Sequence, residues 1–209
     1  MSVARPGKII GIGRNYRDHA AELGNAVPEK PLLFLKPASA VIGHGMPIVL
    51  PRESTQVDFE GEIGVVIGKP LRRAGEEEAC LAIAGVTCVN DVTARDLQRS
   101  DEQWTRAKGF DTFCPVGPRV LPVDPHRLDR LEVLCRLNGV ERQHGRARDM
   151  VFSIPALVAY VSQVMTLERG DLIATGTPAG VGPLRAGDVV EVEIPGVGLL
   201  SNPVTAEVG

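Results

Sequence analysis

Two glutamates, Glu60 and Glu62, stand at the entrance of the apolar run Ile63, Val65, Val66 and Ile67 in VDFEGEIGVVIG, residues 57–68. In an extended strand residues i and i+2 point to one face, so the two carboxylates are held side by side. Such a pair repels itself unless one member is protonated, a cation sits between them, or both are solvated. Further on, GVTCVNDVTARDLQ, residues 85–98, is an apolar strand ending in Asn90 and Asp91 ahead of a helical pattern. Strand ends present side chains to clefts. If this strand neighbours the one bearing the glutamates, Asp91 brings a third carboxylate to the same corner. Three carboxylates with no His or Cys partner suit a hard cation, Mg2+, Mn2+ or Ca2+, with water or substrate completing the shell.

Other groups could work with that corner. A helix over residues 92–98 would set Asp91, Arg95 and Gln98 at i, i+4 and i+7 on one face, with Asp91 at the N-terminal end where the dipole favours an anion. Arg95 could equally pair with Asp91 or Asp96. WTRAKGFDTFCPVGP, residues 104–118, places Lys108 between the only Trp and two Phe residues, either as a desolvated charge kept for an anionic ligand or as a stem snorkelling to the surface. In HAAE, residues 19–22, His19 and Glu22 are at i and i+3 and share a face if the segment is helical. A carboxylate beside an imidazole orients the ring and makes a usable general base; a solvated surface pair is the alternative.

The elements that must position these groups are mostly strands. With 23 Gly and 16 Pro the chain is punctuated often, and the runs between are short and rich in Val and Ile. Strands are expected at residues 8–12, 32–35, 57–67, 82–89, 131–137, 171–174, 189–194 and 198–207, with a hairpin at Asn138-Gly139. Helices are expected over 16–23, 92–98 and 153–165, the last capped by Ser153 with Pro155 in its first turn. The helices are too few for a βαβ alternation, so the expectation is a mixed α/β, predominantly β fold with a few packed helices. Residues 1–50 would form a small N-terminal module and 51–209 the main domain, unless 1–209 is one continuous domain.

The bulk properties narrow the function. A length of 209 residues with 44% hydrophobic content is enough for one sizeable core. The net charge of -3 gives no basic stripe, which disfavours nucleic acid and a membrane surface. No secretory leader is evident, so a cytoplasmic protein is expected. Cys80, Cys88, Cys114 and Cys135 show no metal-ligand spacing and read as buried thiols. GIGRNY from Gly11 has Tyr16 where a dinucleotide fingerprint needs its third glycine, and TGTPAGVGP from Thr175 lacks the ending of a P-loop.

Six ordered blocks, GRNYRDHAAELG, PLLFLKP, DFEGEIGVVIG, NDVTARDLQ, WTRAKGFDTFCPVGP and DLIATGTPAGVGPL, together resemble the fumarylacetoacetate hydrolase family, and within it the short single-domain acylpyruvate hydrolases. The resemblance implies a mixed β-sandwich roll, a homodimer, and Mg2+ or Mn2+ held by Glu60, Glu62 and Asp91. It implies substrate contacts at Arg95, Gln98, Lys108 and Thr177, and an N-terminal lid carrying His19 and Glu22. The segment RSDEQ between Gln98 and Trp104 is shorter than in animal members, which alters the cleft wall.

The activity implied is hydrolysis of a carbon-carbon bond in a 3-acylpyruvate, a small 2-oxo acid, to pyruvate and a carboxylic acid. His19 oriented by Glu22 would activate water, while Lys108 and Gln98 would stabilise oxyanionic charge. The alternatives are an oxaloacetate decarboxylase or an oxo-diacid isomerase of aromatic catabolism using the same site, and a non-catalytic dicarboxylate-binding protein.

Overall fold

The computed structural model describes residues 6–22 and 24–208. Residues 1–5, 23 and 209 lie outside it, so the last residue of the helix expected over 16–23 is not among those described. A seven-stranded mixed sheet runs in spatial order β2 (Leu32–Lys36), β1 (Ile9–Gly13), β12 (Leu172–Ala174), β6 (Gly61–Ile67), β7 (Ile83–Asn90), β9 (Cys114–Leu121) and β3 (Val41–Ile42). A five-stranded sheet has the order β11 (Val140–Arg146), β10 (Glu132–Leu137), β14 (Val189–Ile194), β15 (Gly198–Ala206) and β4 (Ile48–Leu50). A three-stranded sheet, β13 (Gly182–Pro183), β5 (Val57–Phe59) and β8 (Thr93–Ala94), completes a mixed, mainly β architecture. Strands from the first 50 residues enter both larger sheets.

Alternation along β6 and β7 decides where the acids go. Ile63, Val65 and Ile67 share a core with Val86 and Cys88 of β7 and with Val133, Cys135, Val190 and Val192 of the five-stranded sheet. The intervening positions take the opposite face, where Val89 packs with Ile9, Leu172 and Ala174 and partly buried Val66 joins them. Glu62 pairs across the ladder with Val89 and so belongs to this second face. The large core lies on one side of the sheet and the acid corner on the other.

The helices are few, as expected: α1 (Arg17–Glu22), α2 (Glu76–Leu81), α3 (Arg95–Ser100), α4 (Thr105–Gly109) and α5 (Ile154–Val164). Ser153 caps α5 by accepting from Ala156 N–H at 3.3 Å, and its buried face is Ile154, Leu157, Val158 and Val161. The helix expected over 92–98 is corrected. Thr93–Ala94 pairs with β5, Thr93 Oγ1 donates to Asp91 O at 2.8 Å, and the helix starts only at Arg95. Bonding of a Thr hydroxyl to nearby backbone is one route by which such residues compete with helix. Asp91 therefore stands outside the helix, and its expected place on a shared face with Arg95 and Gln98 is overturned. No helix among the described residues is long and apolar enough to cross a membrane, which says nothing of a β-barrel.

Asn15, two residues past the end of β1, ties distant segments together. Its Nδ2 donates to Thr175 O at 2.8 Å and Phe152 O at 3.2 Å, and its Oδ1 accepts from Phe152 N–H at 2.9 Å. Asn15→Ala orphans these buried groups and is expected to cost about 2–4 kcal/mol, a fall in Tm of roughly 5–15 °C by calorimetry. An unchanged Tm would contradict the anchoring role.

Candidate active site

The strand expected over 57–67 breaks at Glu60, where the chain passes from β5 in the small sheet to β6 in the large one. Glu60 O accepts from Asp91 N–H at 2.8 Å, and Glu60 N–H donates to Asn90 Oδ1 at 2.9 Å. These bonds lock the break against the end of β7. As a result Glu60, Glu62 and Asp91, all buried, bring carboxylate oxygens within 4.8 Å of one another. β6 and β7 are neighbours, with Gly61 opposite Asn90.

Three buried cations surround this cluster. Lys108 Nζ donates to Glu60 Oε2 at 2.8 Å and to Asp91 Oδ2 at 2.6 Å. Lys36 Nζ donates to Asp91 Oδ1 at 2.6 Å and Val92 O at 3.2 Å. Arg95 spans Asp58 Oδ2 (2.9 Å), Glu60 Oε1 (2.7 Å) and Gln98 Oε1 (2.7 Å). Four carboxylates, Asp58, Glu60, Glu62 and Asp91, thus face three cations, leaving one negative charge in excess. Buried ion pairs are often no more stabilising than apolar packing, so so many in one place points to a chemical purpose.

The excess falls on Glu62. Burial alone would raise the Glu60 carboxyl, but Lys108 and Arg95 hold it well below the usual carboxylate range. Burial raises Glu62, the Asp91 and Glu60 charges raise it further, and its one hydrogen bond among the described residues is from Gly176 N–H at 2.8 Å. Burial works against the Lys108 charge, but Asp91 and Glu60 outweigh it and raise its pKa. A buried carboxylate with no ion-pair partner among the described residues, between two others, is the environment a divalent ion relieves. The all-oxygen donor set fits a hard cation, so Glu60, Glu62 and Asp91 would hold it.

A cavity of about 260 Å3 opens over the cluster, lined by all the residues singled out from sequence except Glu22, which sits behind His19. Nδ1 of His19 lies 3.3 Å from Glu22 Oε2, and the Glu22 carboxylate also accepts from Gly180 N–H at 3.1 and 3.2 Å. If Nδ1 carries the proton shared with Glu22, Nε2 is the basic nitrogen. Lys108 Nζ lies 4.8 Å from the Phe34 ring centroid, and Trp104 meets that ring edge-on at 5.5 Å, while Phe110 and Phe113 pack on each other. In sequence Lys108 stands among Trp104, Phe110 and Phe113; the ring its ammonium faces is instead Phe34, from a distant strand.

Thr177 Oγ1 donates to Gly61 O at 2.9 Å and accepts from Gln143 Nε2 at 2.7 Å, so its proton is committed. Its backbone N–H makes no hydrogen bond among the described residues.

Sequence reasoning missed Lys36, Asp58 and Gln143, and it named Asn90 only as a strand end, without its bond to Glu60 N–H. Lys36 carried a signal, a charge closing the apolar strand LLFLK. Gln143 carried none, since it is one buried polar residue in the largely exposed strand VERQHGR, yet it also accepts from Gly61 N–H at 2.9 Å.

A curled mixed-sheet fold carrying a buried carboxylate triad under a cavity with a histidine–glutamate pair defines the class of protein. The chain belongs to the family described as fumarylacetoacetate (FAA) hydrolase C-terminal, matched over residues 8–205. It is 46% identical over 214 residues to oxaloacetate tautomerase YisK of Bacillus subtilis, covering 97% of this chain and 71% of that protein. It is 43% identical over 196 residues to the mitochondrial oxaloacetate decarboxylase of Dictyostelium discoideum, covering 91% and 89%. The crystal structure of 2-hydroxyhepta-2,4-diene-1,7-dioate isomerase from Mycobacterium marinum superposes with a TM-score of 0.89 at 45% identity, covering 98% and 77%.

Proposed function

We propose that the protein is a divalent-metal-dependent enzyme, with Mg2+ as its ion, that interconverts the keto and enol forms of 2-oxo dicarboxylic acids such as oxaloacetate. The observation that carries this reading is the buried, cation-free Glu62 within the triad, facing one cavity with His19. The relatives described above act, by their names, on oxaloacetate or an unsaturated oxo-diacid, and this favours enol chemistry over the hydrolysis of 3-acylpyruvates. The homodimer implied by the sequence resemblance belongs to the same reading.

When bound, the ion supplies Lewis acidity at the 2-oxo group. In the keto-to-enol direction His19 Nε2 removes a proton from C3 and the resulting imidazolium delivers that proton to the 2-oxo oxygen; the reverse direction runs the same two transfers backwards, with Glu22 holding the ring by Nδ1. Lys108 offers the N–H left over from its two carboxylates to the negative charge that grows on the 2-oxo oxygen. The Gln98 amide, its oxygen occupied by Arg95, donates through its nitrogen. Thr177 N–H receives the acid's C1 carboxylate, and Phe34 with Trp104 screens the cavity from water.

Product analysis with oxaloacetate and with acetylpyruvate, each with Mg2+, tests the proposal. Equilibration of enolic and keto oxaloacetate, with no pyruvate above the metal-only rate, is the expected result. Pyruvate and CO2 from oxaloacetate would mark a decarboxylase, and equimolar pyruvate and acetate from acetylpyruvate a hydrolase; either as the dominant turnover would overturn it.

A further inference from the structure

Four cationic side chains line the cavity, and three of them are engaged. Lys108 is held by Glu60 and Asp91, Arg95 by Asp58, Glu60 and Gln98, and Arg99 Nη2 donates to Gln56 Oε1 at 2.7 Å on the exposed side. Arg14 makes no hydrogen bond or ion pair among the described residues. It is half-buried, and its φ of 58° lies in the left-handed region that favours glycine. The anchor at Asn15 fixes the backbone immediately after it. A bulky cation in a conformation better suited to glycine, beside a reaction cavity, is strain of the kind that collects at functional sites.

Charge counting gives Arg14 a partner. The four carboxylates and three cations leave one negative charge; a divalent ion turns this into one positive charge, which the C1 carboxylate of a 2-oxo acid balances. A second carboxylate needs another cation.

Resting on the 2-oxo diacid reading, we propose that Arg14 receives the distal carboxylate and so selects dianionic over monoanionic 2-oxo acids. Its planar fork suits a carboxylate, and the charge-assisted bonds it offers are among the stronger ones.

The test is calorimetric binding to the Mg2+-loaded protein of 2-oxoglutarate and of 2-oxovalerate, which has the same chain length but no distal carboxylate, with oxalate as a control for the triad subsite. The wild type is expected to prefer 2-oxoglutarate by at least about tenfold. In Arg14→Gly the preference should fall below about threefold, with the Kd of oxalate unchanged within about twofold and a Tm no lower than wild type, since glycine relieves the backbone. Arg14→Lys should keep part of the preference. No preference in the wild type, a preference retained in Arg14→Gly, or an equal loss of oxalate binding would each overturn the assignment. Oxaloacetate turnover measured alongside separates the two readings. Its absence with the diacid preference intact sinks the proposed reaction alone, and its presence without the preference sinks the role of Arg14 alone.

Discussion

Glu62→Gln is expected to abolish tight divalent-cation binding while leaving the metal-free fold intact. Partners that merely orient metal ligands are typically worth 10–100-fold in affinity, so loss of a direct carboxylate ligand should cost at least ~100-fold. The amide oxygen can still accept from Gly176 N–H, and the side chain keeps its volume. What disappears is a buried carboxyl whose ionisation burial opposes and the Asp91 and Glu60 charges oppose further. The sign of the stability change follows. A carboxyl whose pKa is raised on folding binds its proton more readily in the folded state, so it withdraws stability as pH rises above its unfolded pKa. The variant should therefore melt no lower than the metal-free wild type at neutral pH, and the two should converge toward acid. Mg2+ titration followed by calorimetry and by Tm checks both halves. Wild-type affinity in the variant would remove Glu62 from the ligand set, and a large loss of metal-free stability would make its role structural.

His19→Ala is expected to lower kcat for tautomerisation by roughly 10²–10⁴-fold, the usual worth of a positioned general acid or base, with Mg2+ and oxalate affinity close to wild type. Among the described residues the one side-chain hydrogen-bond partner of His19 is Glu22, which does not line the cavity. The same variant distinguishes reactions. Decarboxylation of oxaloacetate needs no proton abstracted from C3, so an enzyme of that kind would retain much of its turnover. Tautomerisation at wild-type rate in His19→Ala would remove the histidine from the mechanism and leave Glu22 as no more than the tie to Gly180.

The parts of the fold that follow from alternation were legible in the sequence. Ile63, Val65 and Ile67 announced a buried strand, and the period of two set Glu60 and Glu62 side by side, although the chain breaks at Glu60 between two strands. The end of the apolar run at Asn90 and Asp91 placed the third carboxylate correctly, but for an incomplete reason. Helical spacing suggested that Asp91 began a helix, whereas the pairing of Thr93 with Asp58 and the bond from Thr93 to Asp91 O keep it extended. Such pairing joins segments far apart in sequence, and local periodicity carries no record of it.

Strand β9 was missed because Pro115 and Pro118 speak against a strand interior. The pairing of Lys36 with Asp91 across 55 positions was invisible for the same non-local reason. Neighbours set by local spacing, such as His19 and Glu22, were readable, while the cations that neutralise the acid cluster had to be seen in space.

The central claim is that this cavity, loaded with a divalent ion, moves a proton at C3 of a 2-oxo diacid. The most direct measurement is the decay of the enol absorbance of freshly dissolved oxaloacetate with catalytic amounts of protein in excess Mg2+, repeated after chelation. The account predicts decay well above the Mg2+-only rate that disappears on chelation. Decay no faster than with Mg2+ alone, or protein-dependent decay that survives chelation, would contradict it.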